Sequence, residues 1–303
     1  MNAPGPSLQP SLLEGFAQPL LQRLATLARA GRPVIALNGP VGAGKSSLGR
    51  ALRQLAPAVG LELAVASIDD AYLSWPERCR AMAGNPFGVT RVPPGSHDTA
   101  LLVERLRQWK RGGPLVLPRF DKTLRDGEGD RCGEESLQAD ALVLEGWLLG
   151  CRSLGDGLPQ RLAAWQASSA KAQIWLTAEE LDWLPRWDRA LAAYAPLGDP
   201  KLGLVDGLWV LHPSHWSLPL RWRLQAEARQ RRASGAALPA RGVAALVRAS
   251  LASLPPPLHQ DPLLHTADAV AIIDGRRRCI RCRGAAADST VDSGADQLSS
   301  SSL

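Results

Sequence analysis

Residues 39–46, GPVGAGKS, match the pattern G-x-x-x-x-G-K-S, and they restrict the possible folds more than any other stretch of the chain. A short apolar run, PVIALNG (33–39), precedes the pattern, and SSLGRALRQLAPAV follows with apolar residues at helical spacing. This order of strand, glycine-rich loop and helix is the context that a P-loop requires. Glycine lets such a backbone curl until its N–H groups face an anion at the helix N-terminus. The motif therefore predicts a phosphate site at the end of a buried strand.

The loop also supplies side chains for a bound nucleotide. Lys45 is expected to reach the β and γ phosphates, and Ser46 is expected to hold Mg²⁺. The sequence contains neither an NKxD element, typical of guanine specificity, nor the LSGGQ element of transporter ATPases, so ATP is favoured. A glycine-rich turn with a solvated Lys45 is the alternative. The expected nucleotide-binding residues of the loop are Gly39, Gly42, Ala43, Gly44, Lys45, Ser46 and Ser47.

Alternating strands and helices predict an α/β fold. Runs 61–68 and 141–147 are almost continuously apolar, as strands covered on both faces of a parallel sheet are. We expect a P-loop fold of three layers, α/β/α, with a mainly parallel sheet and a helical lid. Further strands are predicted at 172–176, 207–211 and 269–274, and helices at 11–30, 99–111 and 221–232. The predicted division is an N-terminal helical segment (1–30), the P-loop domain with its lid (31–283) and a low-complexity, disordered tail (284–303).

Composition limits the class of protein. No apolar run approaches the roughly 20 residues that span a bilayer, and no secretion signal opens the chain, so we expect a cytoplasmic protein without membrane contact. Five scattered cysteines favour reduced thiols, and the pair Cys279 and Cys282 lacks the further ligands of a zinc site. The net charge of +6 suits anionic partners, which are nucleic acids or small phosphates and carboxylates. The expected oligomeric state is a monomer or weak oligomer.

Acidic residues stand at the ends of two other predicted strands. Asp69 and Asp70, in SIDDAYL, follow one strand, and Glu145 ends another. Ligands of open parallel sheets bind outside the carboxyl ends of the strands, so these acids are expected near the phosphates. Two carboxylates about 4 Å apart repel by about 4 kcal/mol at an effective dielectric constant of 20, which implies a cation such as Mg²⁺.

Distinct roles follow for these acids. Asp69 is the predicted base for an acceptor hydroxyl, while Ser46, Glu145 and Asp69 are the predicted metal ligands. Lys45 and Glu145 join Asp69 as the predicted catalytic residues, and Asp70 is placed at the substrate. The alternative is that Asp70 caps a helix beginning near Ala71 and that Asp69 pairs with an arginine.

Several stretches together resemble D-glycerate 3-kinase of the plant and cyanobacterial type, a P-loop kinase related to phosphoribulokinase, uridine kinase and pantothenate kinase. The resemblance implies ATP-dependent phosphorylation of D-glycerate to 3-phospho-D-glycerate, a salvage step of photorespiration. The alternatives are a related kinase of another acceptor, such as a nucleoside or pantothenate, and a non-catalytic nucleotide-dependent regulator or nucleic-acid binder. The stretches are SIDDAYL (67–73), RVPPGSHD (91–98), PRFDK (118–122), GEGDR (127–131), LEGWLLG (144–150) and LRWRLQAE (220–227).

A small hydroxy acid requires a cation for its carboxylate, and the planar fork of arginine is best suited to two oxygens. Arg119, Lys122 and Arg131 are the candidates within the matched stretches, and a solvated loop charge is the alternative for each.

Two further pairs are expected at the substrates. His97 is expected to contact the acceptor with Asp98 supporting it, although Asp98 alternatively caps the next helix. Arg221 and Arg223 would close over ATP from the lid and neutralise charge on the transferred group. The expected ligands are thus ATP, Mg²⁺ and a small-molecule acceptor, with no nucleic acid.

Overall fold

The computed structural model describes residues 8–168, 175–234 and 238–284. Its main sheet has the strand order β2-β5-β1-β6-β7-β8, in which every neighbouring pair is parallel except β7 and β8. A separate antiparallel hairpin joins β3 and β4. The strands are β1 (Val34–Asn38), β2 (Leu63–Ser67), β3 (Leu115–Asp121), β4 (Asp130–Leu137), β5 (Ala141–Gly146), β6 (Gly207–Pro213), β7 (Ala269–Ile273) and β8 (Cys279–Gly284).

Helices cover both faces of the main sheet. The N-terminal helix contains a π-helical turn, Leu13–Ala17, and Pro19 follows shortly after it. The hydrogen-bonding pattern changes at such a turn, so a residue without an N–H is accommodated there. The helices are α1 (Pro10–Leu12), α2 (Gln18–Ala28), α3 (Lys45–Leu55), α4 (Trp75–Ala81), α5 (Thr99–Lys110), α6 (Leu158–Ala167), α7 (Ala178–Leu191), α8 (Leu218–Ser234), α9 (Ala240–Ser253), α10 (Pro256–His259) and α11 (Leu263–Thr266). None of the helices in the described ranges combines the length and apolar character that crossing a membrane requires.

The core explains why the strands are continuously apolar. Side chains alternate between the two faces of a strand, and in β1 Val34 and Ala36 join one buried cluster while Ile35 and Leu37 join the other. The first cluster contains Trp109 of α5, and the second contains residues of α2 and α3. Both faces are therefore packed, and the predicted α/β fold with a mainly parallel sheet is confirmed.

Some predicted elements differ from the structure. Of the strand predicted at 172–176, residues 172–174 lie outside the described ranges, and Trp175 and Leu176 are not in a strand. Residues 285–303 of the predicted tail also lie outside those ranges, whereas Gly284 ends β8. The alternative in which a helix begins near Ala71 is not observed. Residues Ile68–Ala71 form a 3-10 turn, and α4 begins at Trp75.

The strand order sets up the site. β5 lies between β2 and β1, and Glu145 pairs in register with Ser67 on one side and Leu37 on the other. β2 ends at Ser67, whose Oγ accepts a hydrogen bond from the backbone N–H of Asp69 (3.2 Å). The P-loop, Glu145 and the turn that carries Asp69 therefore follow three adjacent strand ends, as the sequence predicts.

Candidate active site

The P-loop wraps around the N-terminus of α3. Gly42 and Gly44 adopt left-handed φ angles of 78° and 101°, which glycine permits without the steric cost that a Cβ brings. Lys45 Nζ donates to the backbone oxygens of Gly39 (2.7 Å) and Pro40 (3.3 Å). Burial lowers the pKa of Lys45, and the nearby carboxylate of Glu145 opposes that shift.

Ser46 and Glu145 form the candidate Mg²⁺ site. Ser46 Oγ donates to Glu145 Oε1 at 2.8 Å, and Glu145 Oε2 lies 3.9 Å from Lys45 Nζ. No cluster of three or more His, Cys, Asp or Glu side chains that could hold a metal occurs in the described part of the chain. Mg²⁺ commonly binds through one or two protein oxygens together with phosphates and water, so a hydroxyl and a carboxylate at the P-loop fit this ion.

Asp69 carries its carboxylate into a cavity beside the P-loop. Oδ2 accepts from Lys122 Nζ at 2.8 Å, and Oδ1 accepts from the Tyr72 hydroxyl at 3.3 Å. Burial raises the pKa of Asp69, but Lys122 and His97 outweigh burial and hold this pKa well below its usual value. Asp69 is therefore ionised at neutral pH.

His97 lies behind Asp69 rather than at the cavity surface. Its imidazole is buried, stacks on Tyr72 with a centroid distance of 4.2 Å, and places Nε2 3.7 Å from Asp69 Oδ1. The Tyr194 hydroxyl accepts from Gly95 N (3.1 Å) and lies 2.8 Å from His97 Nδ1. The hydroxyl proton is thus available to Nδ1, which assigns the proton of the neutral ring to Nε2, facing Asp69. Burial lowers the pKa of His97 despite the neighbouring carboxylate.

Asp98 does not support His97 as the sequence interpretation expected. Its Oδ1 caps α5 by accepting from Leu101 N (3.0 Å), which is the alternative role, and its Oδ2 accepts from Arg131 Nη2 (2.9 Å). Arg131 Nε in turn donates to the backbone oxygen of Tyr72 (2.7 Å). Arg131 and Asp98 therefore brace the turn that carries Asp69.

Asp70 and Arg119 lie away from the cavity of Asp69. They line a separate depression on the other side of the turn, and Arg119 Nη1 binds Glu135 Oε2 at 2.6 Å on the hairpin surface. Burial raises the pKa of Asp70, while the Arg119 charge opposes it. Lys122, which directly follows β3, reaches Asp69, whereas Arg119 within β3 contacts Glu135 instead.

The cavity beside Asp69, hereafter the acceptor cavity, includes residues that the sequence analysis did not single out. Arg91 is among them, although it is the first residue of the matched stretch RVPPGSHD. Leu246 and Val247 of α9 are also among them, and nothing in the local sequence indicated that they line a cavity, because they resemble ordinary apolar core positions of a helix. The lining residues are Val41, Asp69, Tyr72, Arg91, Val92, Lys122, Arg223, Leu246 and Val247.

A second cavity, hereafter the nucleotide cavity, surrounds the P-loop. Arg277, also missed from the sequence, donates from Nε to Gly42 O (2.7 Å) and from Nη2 to Trp222 O (3.0 Å), so it joins the loop to α8. Arg223 lines both cavities and pairs with Glu227 at 2.5 Å. Its partner in the prediction, Arg221, is exposed on α8. The loop residues that line the nucleotide cavity are Gly42, Ala43, Gly44, Lys45, Ser46 and Ser47.

Comparison with known proteins finds similar kinases. No protein-family model matches the chain. An uncharacterized kinase of Schizosaccharomyces pombe is 29% identical over 211 residues, which cover 65% of this chain and 71% of that protein. A probable ATP-dependent kinase of Saccharomyces cerevisiae is 34% identical over 139 residues, covering 41% of this chain and 48% of its own length. The chloroplastic D-glycerate 3-kinase of Arabidopsis thaliana is 27% identical over 211 residues, covering 65% and 41%. The chain thus spans less than half of the last two relatives.

The fold has a solved counterpart. A D-glycerate 3-kinase structure from Cryptococcus neoformans var. grubii superposes with a TM-score of 0.74 at 24% identity, covering 88% of this chain and 98% of that one. At this identity the match establishes the shared fold. Together with the sequence relatives, it confirms the predicted resemblance to P-loop kinases that include D-glycerate 3-kinase.

Proposed function

We propose that this chain transfers the γ-phosphoryl group of ATP to D-glycerate and produces 3-phospho-D-glycerate. The chain is an ATP-dependent small-molecule kinase, since its P-loop is intact and its sequence relatives are kinases. One observation supports the acceptor: an ionised aspartate, Asp69, shares a cavity with the basic side chains of Arg91, Lys122 and Arg223. An acidic acceptor with a free hydroxyl suits a cavity of this composition.

The proposed roles follow the geometry. Asp69 orients the C3 hydroxyl of glycerate and accepts its proton. Tyr72 and Lys122 hold the Asp69 carboxylate in place. Lys45 neutralises charge on the β and γ phosphates, and Arg223 does so from the side of the acceptor cavity. Catalysis of phosphoryl transfer by such a site is chiefly positioning and charge stabilisation.

Ser46 and Glu145 are the proposed ligands of Mg²⁺. Ser46 and Glu145 would hold the ion, which would supply positive charge to offset the negative charge of the phosphates. In this proposal Asp69 serves the acceptor hydroxyl rather than the ion, because it lines the acceptor cavity. The photorespiratory role, the cytoplasmic location and the monomeric or weakly oligomeric state stay predictions.

An acceptor screen tests the proposal. The purified chain is incubated with ATP and Mg²⁺, and ADP release is measured with D-glycerate, L-glycerate, pantothenate and uridine. We expect D-glycerate to give the highest kcat/KM and the product to carry phosphate at C3. Turnover with pantothenate or uridine but not with D-glycerate would assign the chain to a related kinase instead. Nucleotide binding without phosphorylation of any of these acceptors would favour the regulator.

A further inference from the structure

Arg91 is a buried cation whose hydrogen-bonding capacity is incomplete. The residue is 6% exposed, Nη2 donates to Gly127 O at 3.0 Å, and the buried Nη1 has no hydrogen-bond partner. No carboxylate within the described ranges forms an ion pair with it. A buried charge is unfavourable unless an opposite charge and hydrogen bonds compensate it, so this arrangement requires an explanation.

The other cations around Asp69 already have carboxylate partners. Lys122 pairs with Asp69, Arg131 with Asp98, and Arg223 with Glu227. Arg91 differs from them because it lines the acceptor cavity without an acid of its own.

The neighbouring Arg78 shows how a buried guanidinium is accommodated when it has no ligand to bind. Arg78 is fully buried, donates from both terminal nitrogens to the backbone oxygens of Glu128 and Gly129, and lies over the Phe120 ring at 4.8 Å. Its Nε is the one guanidinium nitrogen without a hydrogen-bond partner among the described residues. It does not line the acceptor cavity. Arg91 differs in two respects: it donates to one backbone oxygen, that of Gly127, and it lines the acceptor cavity.

The backbone around Arg91 is held firmly. Val92 adopts a φ of 93°, which is unfavourable for a β-branched residue by about 1–3 kcal/mol. The following residues hold the segment in place, since Gly95 N donates to Tyr194 and Ser96 Oγ donates to Pro93 O (2.7 Å). These contacts hold the backbone near Arg91, and the hydrogen bond from Nη2 to Gly127 O directs its side chain.

We propose that Arg91 binds the carboxylate of the acceptor and thereby selects small hydroxy acids over neutral alcohols. This inference rests on the proposed kinase function and adds its substrate class. A three-carbon hydroxy acid has its carboxylate at one end and its terminal hydroxyl at the other. One cavity must therefore hold a cation for the first and a base for the second, and Arg91 and Asp69 are that pair. Arg91 is a binding residue in this scheme and takes no part in proton transfer.

The test uses matched acceptors and matched variants of the full-length chain. Arg91→Met is compared with Arg91→Lys, which keeps the charge but not the fork. Arg105→Met is the control, because Arg105 pairs with Glu134 away from both cavities. Removal of a hydrogen bond to a charged group weakens binding by roughly 10- to 100-fold. We expect a rise of that size in the KM for D-glycerate in Arg91→Met and a smaller rise in Arg91→Lys. The KM for glyceramide and for ATP should not change.

Equal losses for D-glycerate and glyceramide in Arg91→Met would overturn the proposal, because they would show that Arg91 supports the cavity rather than the carboxylate. Binding of D-lactate, measured by calorimetry without ATP, separates this inference from the proposed function, since lactate has the carboxylate but no C3 hydroxyl. Loss of D-lactate binding in Arg91→Met supports the role of Arg91 even if glycerate is not phosphorylated. Unchanged D-lactate binding in Arg91→Met, or none in the original chain, refutes it.

Discussion

Asp69→Asn is the most direct perturbation of the proposed mechanism. The amide keeps the shape of the side chain and a contact for Tyr72, but it does not accept a proton from the acceptor hydroxyl. General-base catalysis contributes about 10²- to 10⁴-fold, which corresponds to about 3–5 kcal/mol in the activation free energy. We therefore expect kcat to fall by that factor, while the Kd for ATP, measured by calorimetry, stays close to its original value.

Tyr72→Phe supplies the matched control. The Tyr72 hydroxyl lies 3.3 Å from Asp69 Oδ1, which is longer than the roughly 2.7 Å of an ordinary O–H···O hydrogen bond. A bond this long is at the weak end of the net range, about 0.5–1 kcal/mol, so its removal should lower kcat by about two- to fivefold. Both variants lose or weaken the same contact, and only Asp69→Asn removes the carboxylate.

The assay couples ADP release to NADH oxidation at saturating ATP and D-glycerate, and thermal unfolding confirms that both variants are folded. The reasoning is refuted if Asp69→Asn loses no more activity than Tyr72→Phe. In that case the carboxylate would be a structural partner of Lys122 and Tyr72, and the proton would leave by another route.

Three further predictions concern the surroundings of the site. Lys122→Met removes the cation that holds the pKa of Asp69 low, so the acid limb of the pH profile of kcat/KM should move to higher pH. Lys110→Met is the control, because Lys110 forms a similar ion pair with Asp206, and this variant should leave the acid limb in place. Tyr194→Phe leaves Gly95 N and His97 Nδ1 without their partner, and urea denaturation should show a loss of roughly 1–3 kcal/mol in the free energy of unfolding; no loss would contradict the assigned contacts. Gly42→Ala forces a Cβ into a φ of 78° and to 2.9 Å from Trp222 Cβ, so ATP affinity should fall by roughly tenfold in calorimetry, and normal affinity would mean that the loop adapts.

The parallel strands were predictable because burial on both faces leaves a local record in the sequence. The apolar runs 33–39 and 61–68 differ from the observed strands Val34–Asn38 and Leu63–Ser67 by only one or two residues at each end. The order of the strands leaves no such record, since it depends on contacts between distant segments. The rule that ligands bind at the ends of parallel strands predicted that the acids would lie near the P-loop, but it did not predict that β5 lies between β2 and β1.

The hairpin of β3 and β4 was missed for the opposite reason. Residues 130–137, DRCGEESL, are mostly exposed and polar, so neither apolar periodicity nor burial distinguishes them from a loop. The hairpin is held by the pairing of its two strands and by Arg78, which packs against Phe120 and donates to a backbone oxygen at the hairpin tip. The contacts of Arg78 join residues far apart in the chain.

The same limit applies to the charged groups of the site. The family resemblance implied that Asp98, Arg119 and Arg131 would lie near a substrate, but it could not say which carboxylate each cation would contact. In the structure Arg131 binds Asp98 and Arg119 binds Glu135, so their charges are already compensated within the protein. That Arg91 lines the acceptor cavity without an acid of its own becomes visible only after these pairs are known.

A low pKa at Asp69 is consistent with its proposed role as the base, although a weaker base gives a smaller driving force for proton transfer. Phosphoryl transfer passes through a loose transition state in which the acceptor hydroxyl needs little activation, so orientation of the hydroxyl matters more than its early deprotonation. Lys122 and Tyr72 donate to the Asp69 carboxylate, and Nε2 of the buried His97 lies 3.7 Å from its Oδ1. Lys122 and His97, which lower the pKa of Asp69, are thus also among the groups that fix its direction. For phosphoryl transfer we expect the fixed orientation of Asp69 to matter more than its lower basicity. A carboxylate that is ionised and correctly oriented can accept the proton as the phosphoryl group is transferred.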